Sequence, residues 1–124
     1  MLCDSTWIAL LEKLQNIYPG FGGDASNASC KLQVVYDFLN GQINTVKLTD
    51  GTTNDTLYSF DLLSMLSKGT LLLTDLGYFS TKFFYAIQEL GAYFISRLKA
   101  DVSIFNCKTQ EKINFVKFLR KFKS

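Results

Sequence analysis

Apolar positions along the chain alternate between strand-like and helix-like spacing. Residues 1–6 read as a short strand, after which Trp7, Leu10, Leu11, Leu14, Ile17 and Tyr18 recur at helical spacing until Pro19-Gly20 ends the run. Residues 20–27, rich in Gly, Ser and Asp, predict a loop. Leu32 to Leu39 carries the β-branched and aromatic content of a strand, Asn40-Gly41 is a two-residue hairpin signal, and Ile43 to Leu48 returns as the partner. The first three strands are therefore expected to form an antiparallel meander. Asn54 or Asp55 can cap a helix reaching about Ser67, which Lys68-Gly69 would stop.

A strand over 70–74 follows, and Leu71 to Leu73 shows no polar alternation, as in a central strand covered on both faces. Ser80 is a candidate N-cap for a helix whose apolar stripe is Phe79, Phe83, Ile87 and Leu90, with Gly91 as its stop. Ala92 to Leu98 reads as a fifth strand, apolar enough to be buried. That central fourth strand is expected to pair with the first, which brings Asp75 beside Asp4. Near the end, Ile113, Val116, Leu119 and Phe122 recur every third residue beside Phe115 and Phe118, another apolar stripe.

A chain of 124 residues with 48% apolar and 15% aromatic content can bury one core, and disorder is excluded. No apolar run approaches the roughly 18 residues of a membrane span, and no signal-peptide pattern is present. With no histidine and three cysteines (Cys3, Cys30, Cys107) at spacings unlike a metal motif, zinc sites and histidine-dependent catalysis are excluded. Reduced thiols suit a cytoplasmic protein. Net charge is +2 but uneven: residues 108–124 hold Lys108, Lys112, Lys117, Arg120, Lys121 and Lys123 against Glu111 alone. This basic segment either meets phosphates or forms the solvated face of a terminal helix.

The candidate chemistry lies in Cys3-Asp4-Ser5-Thr6 and in Leu71-Leu72-Leu73-Thr74-Asp75-Leu76-Gly77-Tyr78. One carboxylate on each of two strands, distant in sequence, is a way to hold Mg²⁺ or Mn²⁺ for phosphoryl transfer, because these cations take hard oxygen ligands. The plainer alternative is that Asp75 is a turn residue. Lys31, Arg97 and Lys99 are candidate contacts to DNA phosphates, Tyr78 is a core aromatic or a substrate-orienting group, Asp37 a turn or ion-pair acid, and Asp55 a helix cap.

Taken together, Cys3-Asp4-Ser5-Thr6, Tyr18-Pro19-Gly20, Lys31 to Asp37, Thr49 to Asp55, Asp75-Leu76-Gly77-Tyr78-Phe79 and Tyr93-Phe94-Ile95-Ser96-Arg97-Leu98-Lys99 resemble the catalytic core of DDE-class bacterial insertion-sequence transposases, in the family of insertion sequence four. The resemblance covers nearly the whole chain. It implies an α/β, ribonuclease-H-like mixed sheet in which an antiparallel three-strand meander joins parallel strands flanked by helices. It also implies Asp4 and Asp75 as the first two acids of a catalytic triad, Mg²⁺ or Mn²⁺ as cofactor, transposon-end DNA as partner, and a homodimer in the full-length family. The third acid should be a Glu in a Tyr-x-x-Arg-x-x-x-Glu context, and Glu12, Glu89 and Glu111 have no such context. The expectation is one partial catalytic domain over residues 1–124, incomplete at both ends and lacking the end-recognition segment. Such a chain carries two of three acids, binds metal weakly and turns over little if at all. The rival expectations are a non-catalytic remnant of the same fold and a phosphorylation-receiver domain of five alternating strand–helix units.

Overall fold

The computed structural model describes residues 1–23 and 25–121. Asp24 in the first loop, Phe122 of the terminal stripe and Lys123 of the basic segment lie outside the described residues.

The first strand, β1, runs Leu2–Ala9, not residues 1–6, and the expected helix beyond it is a single 3-10 turn over Glu12–Leu14. The apolar spacing from Trp7 to Tyr18 is helical by coincidence. Ser5-Thr6-Trp7-Ile8 is a β-branched and aromatic run that pairs residue for residue with β2 (Ser29–Asp37), from Leu2↔Tyr36 to Ala9↔Ser29. Leu11 and Ile17, which a buried helical stripe would hide, are exposed.

β2 returns through residues 38–41 into β3 (Gln42–Asp50). The turn is longer than a two-residue hairpin because Asp37 organises it: its carboxylate accepts from the backbone N–H groups of Leu39 and Asn40 and from the Asn40 side chain. Gly41 supplies the positive φ of 65°. Both strands are also longer than the apolar runs that announced them.

Helix α1 (Asp55–Leu62) is capped by Asn54, whose side chain accepts from Thr56 N–H, and it passes into a 3-10 turn over Leu63–Met65 short of Ser67. β4 (Leu71–Thr74), α2 (Thr81–Glu89) and β5 (Tyr93–Ser96) follow, with Ser80 capping α2 as expected. A small hairpin of β6 (Ile104–Phe105) and β7 (Lys112–Ile113) leads to α3 (Phe115–Arg120).

The main sheet has the order β3-β2-β1-β4-β5. β1 is antiparallel to β2, and β2 to β3, whereas β1 is parallel to β4, and β4 to β5. This is the mixed α/β, ribonuclease-H-like arrangement expected from the sequence. The antiparallel ladder rules out a receiver domain of alternating strand–helix units.

Cys3, Val35 and Leu72 of the sheet pack with Tyr58, Leu62, Phe83, Phe84 and Ile87 of α1 and α2 and with Tyr78. Both helices therefore cover the same face. The expectation that β4 and β5 are buried on both sides fails here: Leu72 is sealed, but Leu73 is 37% and Ile95 58% exposed. An all-apolar strand shows that each face suits an apolar partner, and among the described residues only one face has one. The terminal apolar stripe is likewise exposed at Phe115, Val116, Phe118 and Leu119.

The β3–α1 connection constrains Gly51. A Cβ there would lie 2.8 Å from Ser29 Cβ and 2.9 Å from Trp7 Nε1, against a fully buried Ser29. Gly51→Ala is expected to destabilise the fold by about 1–3 kcal/mol, the usual cost of overpacking, seen as a lower urea midpoint.

Candidate metal and phosphate site

Asp4 and Asp75 are brought together by strand register. β1 and β4 run parallel with Cys3 opposite Thr74, so Asp4 and Asp75 are each one residue further along adjacent strands. Cys3 and Thr74 point into the buried face. Side chains alternate along a strand, so both aspartates turn to the open face. There they line one shallow crevice of about 390 Å³ with Leu2, Leu73, Ile95 and Arg97. Asp4 Oδ1 accepts from the N–H of Ser5 at 2.8 Å. Arg97 Nη1 donates to Asp75 Oδ1 at 3.4 Å, and this exposed pair holds loosely. Asp75 does not use its side chain to cap the 3-10 turn Leu76–Tyr78 that follows, so its carboxylate faces the crevice.

Two other sequence candidates lie elsewhere. Lys99 Nζ sits 5.5 Å from the centre of the Phe79 ring, outside the crevice. Lys31 lies on the helix-covered face, opposite the aspartates: its Nζ is 3.2 Å from Asp55 Oδ1 and donates to the Thr53 carbonyl at 2.8 Å. Both side chains of that ion pair are only 15% exposed. The expected phosphate contact is thus an ammonium already held inside the chain.

Asp55 was expected to be a cap, but Asn54 caps the helix, and Asp55 turns onto the sheet. Its carboxylate accepts from Gln33 Nε2 at 2.7 Å and from Ser5 Oγ at 3.2 Å. The Tyr78 hydroxyl donates to Gln33 Oε1, so both polar ends of this fully buried glutamine are satisfied. The one signal for this network in the sequence was Gln33, a polar residue within an apolar strand run. The other members, Ser5, Asp55 and Tyr78, come from three distant segments, which no local pattern could name.

Comparison with known proteins now bears on the crevice. Residues 1–117 match the model of the family described as the transposase DDE domain. The chain belongs to that family. It is 36% identical over 104 residues to the transposase for insertion sequence element IS231F of Bacillus thuringiensis subsp. israelensis, covering 84% of this chain and 22% of that protein. It is 31% identical over 102 residues to the transposase for insertion sequence element IS1151 of Clostridium perfringens, covering 82% of this chain and 22% of that protein. The chain thus spans about a fifth of the length of these curated relatives.

Within this DDE domain, the described residues contain no cluster of three or more His, Cys, Asp or Glu side chains able to hold a metal. Asp4 and Asp75 stand as a pair. Among the described residues no helix is long and apolar enough to cross a membrane.

Cys3 sits directly behind the crevice. Burial pushes its thiol up to about 11, with the hydroxyl of Tyr78 opposing and nearby Asp4 adding to the shift. Burial likewise raises the Tyr78 phenol, with Cys3 contributing. Cys30 is also buried, and Cys107 is exposed. At pH 8 the folded chain is expected to react with a maleimide at Cys107 alone, the other two thiols reacting only in denaturant. Because the folded state favours the protonated thiol, the Cys3 contribution to stability is full below about pH 9, the ordinary thiol value, and is lost as pH rises toward 11; that of the raised Tyr78 phenol persists to higher pH. A urea midpoint that falls between those values checks the sign.

Proposed function

We propose that this chain supplies two of the carboxylates, Asp4 and Asp75, of a metal-dependent transposase centre that cuts and joins DNA strands. The observation that supports it most is the pairing of β1 with β4, which sets two acids from opposite ends of the core side by side in one open crevice. Two exposed carboxylates with no buried cation between them are a suitable donor set for Mg²⁺ or Mn²⁺, which fill their remaining positions with water and phosphate oxygens. The bound metal would polarise the phosphodiester and stabilise charge on the attacking and leaving oxygens.

The chain's own residues do the rest. Asp4 is aimed by its strand and by the Ser5 N–H. Asp75 is delivered by the end of β4, and Arg97 beside it offers a guanidinium for a DNA phosphate once the loose pair opens. Lys99 lies further along the same segment and would extend the basic track. With only two acids at the crevice among the described residues, this chain alone would bind metal weakly and show little strand cleavage.

The test is Mn²⁺ uptake followed by electron paramagnetic resonance. Asp4→Asn and Asp75→Asn should each weaken uptake at least about tenfold, because each removes a metal ligand. Uptake that survives both substitutions together would refute the reading.

A further inference from the structure

We infer that Asp55 is a positioning residue for the Asp4–Asp75 pair, a half-buried latch between the two segments that present them; this rests on reading those two acids as metal ligands. Asp4 and Asp75 share no hydrogen bond with Asp55, yet the next residues of both segments meet at its carboxylate. Ser5 follows Asp4 immediately, and its Oγ donates to Asp55 Oδ2 at 3.2 Å. Gly77 is two residues beyond Asp75, and a Cβ there would stand 2.6 Å from the same Oδ2. That oxygen is not the free end of a mobile side chain. Its carboxylate is also fixed by Gln33 at 2.7 Å and Lys31 at 3.2 Å. Gly77 is therefore glycine because the latch occupies the space a side chain would take.

Thr56, the next residue of α1, holds the helix to the Asp75 segment as well, donating from Oγ1 to the Gly77 carbonyl at 3.3 Å. Tyr78 N–H reaches back to the Asp75 carbonyl at 3.2 Å, making the turn that carries Asp75 one rigid unit. A charged group this enclosed is costly unless fully paired, and Asp55 has a cation and two further donors. The latch thus fixes the separation of two exposed carboxylates that otherwise share only the short β1–β4 ladder.

The experiment compares Mn²⁺ uptake by the full chain as wild type, Asp55→Asn, Ser5→Ala and Ile87→Val, the last a buried substitution in α2 that lowers stability without touching the latch. Amide hydrogen exchange at residues 4–6 and 76–78 is measured without metal. Asp55→Asn and Ser5→Ala are expected to weaken Mn²⁺ uptake about tenfold, the scale seen when groups supporting metal ligands are lost, and to speed exchange in both segments. Ile87→Val should leave uptake within twofold. Should Asp55→Asn fail to fold, Ser5→Ala, which removes one hydroxyl, carries the same comparison. Latch variants that bind Mn²⁺ as wild type does, or lose no more than Ile87→Val, overturn the proposal. If wild type takes up no Mn²⁺, or uptake survives loss of Asp4 and Asp75, the metal reading falls and exchange decides alone. Faster exchange in both segments only in the latch variants sustains the latch, and unchanged exchange overturns it.

Discussion

Replacing Phe83 with alanine is expected to cost about 3–5 kcal/mol of folding free energy, the range for truncating a buried phenylalanine. The ring is fully buried on α2 and meets Phe60 of α1 edge-on, with ring centres 6.1 Å apart, and Phe84 at 6.0 Å. It belongs to the cluster with Leu62, Leu72 and Ile87, so it joins both helices to the central strand of the parallel half. Truncation leaves a cavity in a close-packed interior and removes an aromatic contact between helices. Since a domain of this size is stable by only about 5–15 kcal/mol, much of the chain population should unfold at moderate urea. Leu57→Ala, on the exposed side of α1, should move the urea midpoint little. Equal shifts for the two would mean that the helices do not share this core.

Lys31→Met should be the next most damaging change, at about 2–3 kcal/mol, between the costs of breaking an exposed and a buried ion pair. It strands the Asp55 carboxylate in a site where both partners are 15% exposed. The cost arises from the carboxylate left behind more than from the bond lost. Combining it with Asp55→Leu should therefore cost less than the two single changes added together. A phosphate-contacting lysine would behave differently. Its loss would flatten the salt dependence of DNA binding and leave the urea midpoint unchanged. Denaturation of the single and double variants separates the two roles.

Local chemistry made some elements legible. Ser80, the Phe83 and Ile87 spacing and Gly91 define α2 because a cap, a 3.6-residue stripe and a positive-φ stop all lie within one short segment. Asp75 after an apolar strand, and Asp4 in a polar break near the start, were visible as candidate acids for the same reason. Asp37 was legible as a turn acid, since its bonds reach only two or three residues ahead.

Other features depended on partners distant in the chain. β1 extends to Ala9 because β2 offers it a ladder, a fact that no window around Trp7 contains. Lys31 and Asp55 read as a phosphate contact and a cap, but strand alternation turns Lys31 to the helix-covered face, where Asp55 at the start of α1 meets it. The apolar runs of β4 and β5 recorded that two faces can be covered, without saying which partner covers each. The sequence by itself determined the β2–β3 pair, α1, β4, α2 and β5 in kind, offered Asp4 and Asp75 as candidate acids, and carried the family resemblance. Only the tertiary structure decided the register of β1 on β4, with Cys3 opposite Thr74, that β1 runs on to Ala9, and that Asp55 turns onto the sheet to meet Ser5, Gln33 and Lys31. Propensity and capping act within a few residues, whereas register and burial are set by contacts between strands far apart in the chain.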